Sequence, residues 1–463
     1  MKTDAKILNL LRENSELKYE LTLLKQRVSE LLDKNFQLEK KLENYQVKKD
    51  SHNSSIPPSK EIIKRNQSLR KKSNLKPGAQ YGHKGTSLKM TDNPDEVILL
   101  QPDFCTVCGE DLKLISGTIA GRRQVIELPP VKPIYIEYRT VSKLCNCGHL
   151  QCSNYPENVT NHIQYGASVQ AVITYDSIRQ YMPFKRLSEK MSSIFRLPIS
   201  TGTIRNIISN MAQKALPIYE NIQSRIEKSQ IVGGDESGIN VAGKNWWAWV
   251  FQNQLITFIA ILSTRGKSAV DELFKNGFVN AILVSDRWRA QLNTFAKGHQ
   301  LCTAHLLRDL NYLIELEKTE WAENIKNLFL QAIHLKKELS VFNNSSPEVK
   351  QIELTMDKLL EQELLKEKTP KTLVFQRALK KNRNYLFQFL YHNFVPPDNN
   401  GSERAVRNIK VKQKISGQFN GGQKDFAVLR SVIDTVIKNS GDVFQTLEQI
   451  AKLKIKSNFV VAE

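Results

Sequence analysis

Asp235, Asp286 and Glu403 lie far apart in this 463-residue chain, yet each occupies a place suited to holding a hard cation. Ile231, Val232, Gly233 and Gly234 read as a short buried strand that delivers Asp235 at its end. Residues 281–285 form a second apolar run that stops one residue before Asp286. Glu403 follows the polar turn Asp398, Asn399, Asn400, Gly401 and Ser402, a helix start. Carboxylates from two strand ends and one helix can meet a pair of Mg²⁺ or Mn²⁺ ions about 3.5 to 4 Å apart, the arrangement that activates water and stabilises a leaving alkoxide in phosphodiester chemistry. Magnesium takes oxygen ligands and keeps part of its water shell, so three acids suffice. A lone Asp at a strand end is ordinarily structural; the surrounding elements raise these three above that.

Those elements form a pattern. Residues 246–251 and 255–262 read as two strands after Asp235, then comes a short helix at 271–274, a fourth strand at 281–285 and a fifth at 299–302. A β-meander opening on an acid is the start of a ribonuclease H-like α/β core. The spacing from Asp235 to Asp286 fits that core, whereas the stretch from Asp286 to Glu403 is too long for it. The excess, residues 321–389, is rich in Leu, Lys and Glu with helical periodicity and reads as an all-helical insertion. The core thus divides into residues 230–320 and 390–463, giving a multidomain α+β protein.

The chain carries 67 Lys and Arg against 47 Asp and Glu, a net charge of +20, which suits a polyanionic partner such as DNA. No apolar run approaches the roughly 18 residues of a membrane span, and the charged N-terminus lacks a signal-peptide core, so a cytoplasmic, nucleoid-associated bacterial protein is expected. Residues 1–46 are a heptad segment. Ile7, Asn14, Leu21, Val28, Asn35 and Leu42 share one position, and Leu10, Leu17, Leu24, Leu31, Leu38 and Tyr45 the other. This predicts a parallel coiled-coil homodimer, or a higher oligomer, with Asn14 and Asn35 fixing register. The alternative is a single amphipathic helix packed on its own chain. Residues 47–93 form a basic flexible arm; Lys71 and Lys72 are among its phosphate-neutralising candidates. A solvated linker is the plainer reading of such a charge run.

Residues 94–154 contain five of the six cysteines. Cys105, Cys108 and the following Gly109 read as a zinc knuckle, and the second pair is expected at Cys145 and Cys147, with β-like segments such as 134–141 between. Cys145 and Cys147 are one residue closer than usual, and His149 and Cys152 are substitutes. The alternative is a set of reduced, packed thiols. Residues 155–229 read as helical throughout. Within them a helix at 186–191, a turn, and a Ser200-capped helix bearing Arg205 resemble a helix-turn-helix that offers Arg205 to the major groove; a plain helical hairpin is as good a reading.

Several stretches together resemble the transposases of the insertion sequence 66 family, in their large catalytic subunit form. These are residues 53–59, Gly82-His83-Lys84-Gly85, the Cys105/Cys108 knuckle, Asp235-Glu236-Ser237, residues 302–308 and residues 399–407. The resemblance implies a DDE-type enzyme that cuts at transposon ends and joins the freed 3′-hydroxyls to target DNA, with Asp235, Asp286 and Glu403 as its triad. It also implies a helical insertion, and leaves open a need for accessory transposition proteins. Two departures stand out: Ser237 where the family usually has Thr, and the shortened Cys145/Cys147 pair.

Around the triad, His305 can orient water or bond a phosphate oxygen, though a capping or core histidine is as good a reading, and Cys302 reads as a small buried hydrophobe. Arg308 lies in the same matched stretch and is an auxiliary DNA-contact candidate. Arg404, Arg407 and Lys410 share the Glu403 helix; Arg407, one turn on, either meets phosphate or pairs with Glu403. Trp246, Trp247, Trp249 and Trp288 can stack on unpaired bases, although Trp247 and Trp249 share a strand face and read as core. Residues 416–423 are a glycine-rich turn between two helices without the Walker lysine pattern. Two other functions fit less well: a DNA-binding regulatory zipper/zinc protein with an inactive core, and a ribonuclease H-like nuclease without strand transfer.

Overall fold

The structure is a computed structural model that describes residues 2–46, 49–50, 52–54, 78–79, 81–85, 87–339, 342, 345–365 and 369–454. Lys71 and Lys72 lie outside the described residues. The chain opens with the long helix α1 (Lys2–Gln46). Leu17, Leu21, Leu24, Leu31, Leu38 and Leu42 on it are all exposed, so these six residues of the heptad stripe do not pack on this chain's own core. A small antiparallel hairpin follows, β1 (Ser142–Leu144) with β2 (Leu150–Cys152). Residues 134–141, expected to be β-like, lie outside any strand; their apolar side chains are exposed and have no partner sheet.

Helices then dominate: α2 (Ala167–Thr174), running into a π-helical turn Tyr175–Arg179, α3 (Phe184–Ser193) and α4 (Thr201–Glu227). The helical stretch therefore starts at Ala167, and residues 155–166, expected to be helical, are irregular. Ser200 caps α4 by accepting from Thr203 N, as a Ser before a helix should. The five-stranded sheet comprises β3 (Ile231–Val241), β4 (Lys244–Gln252), β5 (Thr257–Leu262), β6 (Phe278–Ser285) and β7 (Ala296–Leu301), in the order β5-β4-β3-β6-β7. The first three strands are an antiparallel meander, and β6 and β7 run parallel to β3.

Between and after these strands come α5 (Lys267–Leu273), α6 (Arg289–Leu292), α7 (Thr303–Glu317), α8 (Glu320–Glu338), α9 (Pro347–Glu361), α10 (Pro370–Lys381) and α11 (Gln388–Tyr391). The chain closes with α12 (Asn400–Ser416), α13 (Gln423–Lys438) and α14 (Val443–Lys452). Strand alternation divides β6 between two cores. Ala281 and Leu283 join the core formed with α4 and α13, while Ile282 and Val284 join the one formed with α7 to α11. The region after Trp321 is thus helical and shares its apolar core with the far side of the sheet.

Both sheet edges are covered through side chains. Ser431 and Thr435, one turn apart on α13, accept from the backbone N–H groups of Ile259 and Thr257 on β5 (2.9 and 3.1 Å). On the opposite edge, Gln300 of β7 donates to Leu386 O (3.1 Å) and accepts from Phe389 N (3.1 Å), binding the end of the helical region to the sheet. Unpaired edge groups would otherwise template association with another strand.

Candidate active site

Asp235 does not end its strand. β3 continues to Val241, paired with β4 along that whole length, whereas its parallel pairing with β6 covers only Ile231 to Gly233. The sequence reading missed this because Ser237, Gly238 and Asn240 interrupt the apolar pattern that marks a strand. Asp235 therefore sits where the parallel half of the sheet gives out, beside the carboxyl ends of β6 and β7. Asp286 directly follows the last residue of β6, and its charge acts on Asp235. Crevices outside the carboxyl ends of parallel strands are where α/β sheets gather ligands.

Glu403 reaches this point from α12 through one buried residue, Asn399. Its side-chain amide donates to Gly234 O (2.6 Å), its backbone N–H donates to Cys302 Sγ (3.2 Å), and its Oδ1 accepts from Ser402 Oγ (2.7 Å). Cys302 N in turn donates to Ser285 O (2.8 Å). Gly234, Ser285 and Ser402 each immediately precede one of the three acids. Two adjoining residues, Asn399 and Cys302, thus tie together the backbone positions on which all three carboxylates hang. Space for this clasp exists only because Gly233 lacks a side chain: a Cβ there would lie 2.6 Å from Asn399 Oδ1 and 2.8 Å from Ser402 Oγ. Gly401 is constrained likewise, with Gln252 Nε2 2.5 Å from its would-be Cβ. In sequence both glycines resemble ordinary turn or strand-end residues, and the clasp has no local signal.

Burial, followed by the neighbouring charges of Glu236, Asp286 and Glu403, pushes the Asp235 carboxyl well above its usual range. Glu236 points to the opposite face of β3 and is raised by burial and by Asp286, against the pull of Arg265. Asp235 thus feels the charges of both other acids, but the three carboxylates do not bring oxygens within 4.8 Å of one another; oxygen donors of this kind suit a hard divalent cation, which would offset their mutual repulsion.

His305 and Arg308 on α7 both converge on Glu403. His305 Nδ1 lies 3.8 Å and Arg308 Nη2 3.4 Å from Glu403 Oε1. Burial and the Arg308 charge lower the His305 pKa, and its buried Nδ1 has no hydrogen-bond partner. Cys302, His305 and Glu403 place ligand atoms within 4.8 Å of one another, the one such group among the described residues. The Cys302 thiol, however, is pushed up to about 12 by burial and already accepts from Asn399, so it serves the clasp as a neutral acceptor.

Other candidates fall differently. Arg404 and Arg407 are exposed and, among the described residues, make no ion pair; Arg407 does not pair with Glu403, whose cationic neighbours are His305 and Arg308. Lys410, expected at phosphate, donates to Gly238 O and ties α12 to β3, because it lies on the helix face turned toward the strand. Arg205 lies exposed near the start of α4 against the loop at Gly421, while Ile204, Ile207, Ile208 and Met211 of the same helix are buried in the core.

The cysteines form two local turns, each closed by a glycine N–H on the carbonyl of its first cysteine. Gly109 N donates to Cys105 O (2.9 Å) and Gly148 N to Cys145 O (2.8 Å), with φ of +81° and +87° at the two glycines. Hydrogen bonding within each turn, chiefly from the Cys108 and Cys147 backbones, lowers the Cys105 thiol to about 7 and also lowers Cys145. The expected four-thiolate cluster is not assembled: no three of Cys105, Cys108, Cys145 and Cys147 lie within reach of one ion. Sequence-local turns build each half, and joining them needs a tertiary contact that the exposed stretch between them does not provide.

A mixed sheet with acids near the ends of its parallel strands, beside the Lys- and Arg-rich α12, is compatible with an enzyme core that acts on DNA. The comparison with known families agrees. The family described as "Transposase IS66 family" matches residues 162–424, more than half of the chain and all three acids, so the chain belongs to the IS66 transposase family. A search of curated proteins finds no match. The family match leaves out α1 and the cysteine turns.

Proposed function

We propose that this protein is a DDE-type transposase that binds the ends of an insertion sequence, hydrolyses a phosphodiester bond at each and transfers the freed strand to target DNA. The observation that carries this reading is the clasp, whose hydrogen bonds join Gly234, Ser285 and Ser402, the residues just before the three acids, near the carboxyl ends of the central strands and inside a family-matched segment. The β5-β4-β3-β6-β7 order, an antiparallel meander followed by two parallel strands, supports a ribonuclease H-like core. Two Mg²⁺ or Mn²⁺ ions, when bound, supply an activated nucleophile and stabilise the leaving oxygen. The chain's own residues hold and orient: Asp235, Asp286 and Glu403 offer the oxygens, and His305 and Arg308 steady Glu403 from α7. Arg404 and Arg407 meet the DNA backbone.

Beyond the core, α1 forms a parallel dimer through its exposed Leu stripe, or a higher assembly with accessory proteins. Zn²⁺, on binding, would draw the Cys105/Cys108 and Cys145/Cys147 turns together as its four ligands, and Lys71, Lys72 and Arg205 add DNA contacts. Among the described residues no helix is long and apolar enough to cross a membrane.

The test uses Asp235→Ala, Asp286→Ala and Glu403→Ala on duplex DNA carrying the element's ends, intact and pre-nicked. Each variant should retain DNA binding and lose Mg²⁺-dependent cutting to background, and the unmodified protein should join pre-nicked ends to a target. Cutting that survives Glu403→Ala would falsify the triad, and cutting without joining would leave only the nuclease reading.

A further inference from the structure

Beside the acids lies a second group of side chains that hydrolysis and joining do not use. The Arg265 guanidinium stacks over two indoles, 4.6 Å from the Trp247 ring centre and 3.7 Å from that of Trp288. It is held there by Glu236, whose Oε1 accepts from Arg265 Nε (3.1 Å) and Nη2 (2.8 Å) and whose Oε2 accepts from Gln291 Nε2 (2.5 Å). The Glu236 side chain is only 2% exposed, so this ion pair is anchored in the fold. Trp288 follows Asp286 by two residues, and its backbone N–H donates to Asp286 Oδ1 (2.8 Å). Trp288 belongs to neither apolar core, and the residue is 36% exposed.

We propose that Trp288, backed by Arg265, is a stacking platform for the face of an unpaired nucleobase next to the phosphate held at Asp235, Asp286 and Glu403. This rests on the triad reading given above. Three features select that ligand. A rigid indole partly open to solvent offers a flat π-face, which any base accepts regardless of sequence. Glu236 neutralises the Arg265 charge, so the guanidinium stiffens and polarises the stack and is not a free phosphate anchor. The indole also hangs from the residue pair that carries a triad acid, so a strand whose phosphate lies at Asp286 brings its nearest bases to Trp288. Within a duplex those faces are covered by neighbouring base pairs. The base taken must therefore be extrahelical or stand at a strand terminus.

Glu236 and Asp235 point to opposite faces of β3, so phosphate and base lie on either side of one strand end. This gives the buried Glu236 a role as a positioning residue for the platform, distinct from the metal-holding acids.

The test measures binding in Ca²⁺, without cutting, to three short duplexes: fully paired, with one internal unpaired 2-aminopurine, and with one unpaired 2-aminopurine at a 3′ end. The unmodified protein should bind one or both unpaired probes about tenfold more tightly than the paired duplex and quench their fluorescence. The probe that shows the preference identifies an extrahelical or a terminal base. Trp288→Ala should abolish the preference, Trp288→Phe should keep most of it, and an abasic site in place of the 2-aminopurine should remove it in the unmodified protein. No preference in the unmodified protein, an equal preference in Trp288→Ala, or abasic DNA bound as tightly as 2-aminopurine DNA overturns the proposal. If Trp288→Ala does not fold, the abasic comparison decides alone. Failure of the triad reading is separate, appearing as cutting that survives Glu403→Ala.

Discussion

The acid cluster and the cysteine turns are both sets of metal-ligand residue types, and the fold treats them in opposite ways. The backbone positions just before Asp235, Asp286 and Glu403 are tied together by Cys302 and by Asn399, a buried amide, and the charges of Asp286 and Glu403 act on Asp235. Cys105 with Cys108, and Cys145 with Cys147, are placed by turns of five and four residues that close on their own backbone, and the stretch between them exposes Leu114, Ile126, Leu128 and Ile134. Apolar packing can preassemble a site when a large core stands behind it. A segment with little buried surface depends on its ligand to complete it.

The largest effect expected from this contrast is on the cysteine side. A chelator strong enough to strip zinc should melt the residue 94–154 region, seen as loss of amide protection there, while the sheet keeps its protection and its melting temperature. Equal protection before and after chelation would refute a structural zinc. On the core side, Gly233→Ala drives a Cβ against the clasp, and overpacking of this kind costs about 1 to 3 kcal/mol. Chemical denaturation should report that loss, and cutting should fall with it because Asn399 must shift.

Asn399→Ala leaves Gly234 O without its buried donor and should destabilise by about 1 to 3 kcal/mol. Its sharper signature is weakened Mn²⁺ binding by electron paramagnetic resonance with DNA affinity unchanged. If Mn²⁺ binds as before, the clasp is packing alone.

A smaller effect follows from Asp235. Its folded pKa is raised, so the folded state holds the proton more tightly than the unfolded chain does. The metal-free protein should have this contribution in full below the ordinary carboxylate range and lose it as pH rises toward the raised value. Asp235→Asn should flatten that dependence in thermal melts, and divalent ions should stabilise the unmodified protein more at higher pH. A parallel slope in the variant would assign the effect elsewhere. Smallest of all, Arg407→Ala should leave folding untouched and reduce the salt dependence of DNA binding by roughly one counterion.

Much of the fold was legible because its signals are local. The meander, the helices after Trp321 and the Ser200 cap follow from apolar alternation, helical periodicity and a side-chain acceptor ahead of a helix. Local signals also misled. Asn253 Oδ1 accepts from Leu255 N and Ile256 N, turning the chain there, so β5 begins at Thr257 and not at Leu255. The apolar residues of 134–141 suggested a strand, but a strand needs a partner, and none is supplied.

The amino-acid sequence by itself determined most of the helices and strands and the excess of positive charge, and it singled out the three acids, because residue type and short-range spacing carry these signals. Tertiary structure alone decided that the Asp286 charge acts on Asp235, that Asn399 and Cys302 bind the three acid-bearing segments, that Lys410 serves β3, and that Arg265 is locked against Trp288. Each of those outcomes is a contact between residues distant in the chain, set by how whole faces pack together, and no periodicity within either partner encodes it.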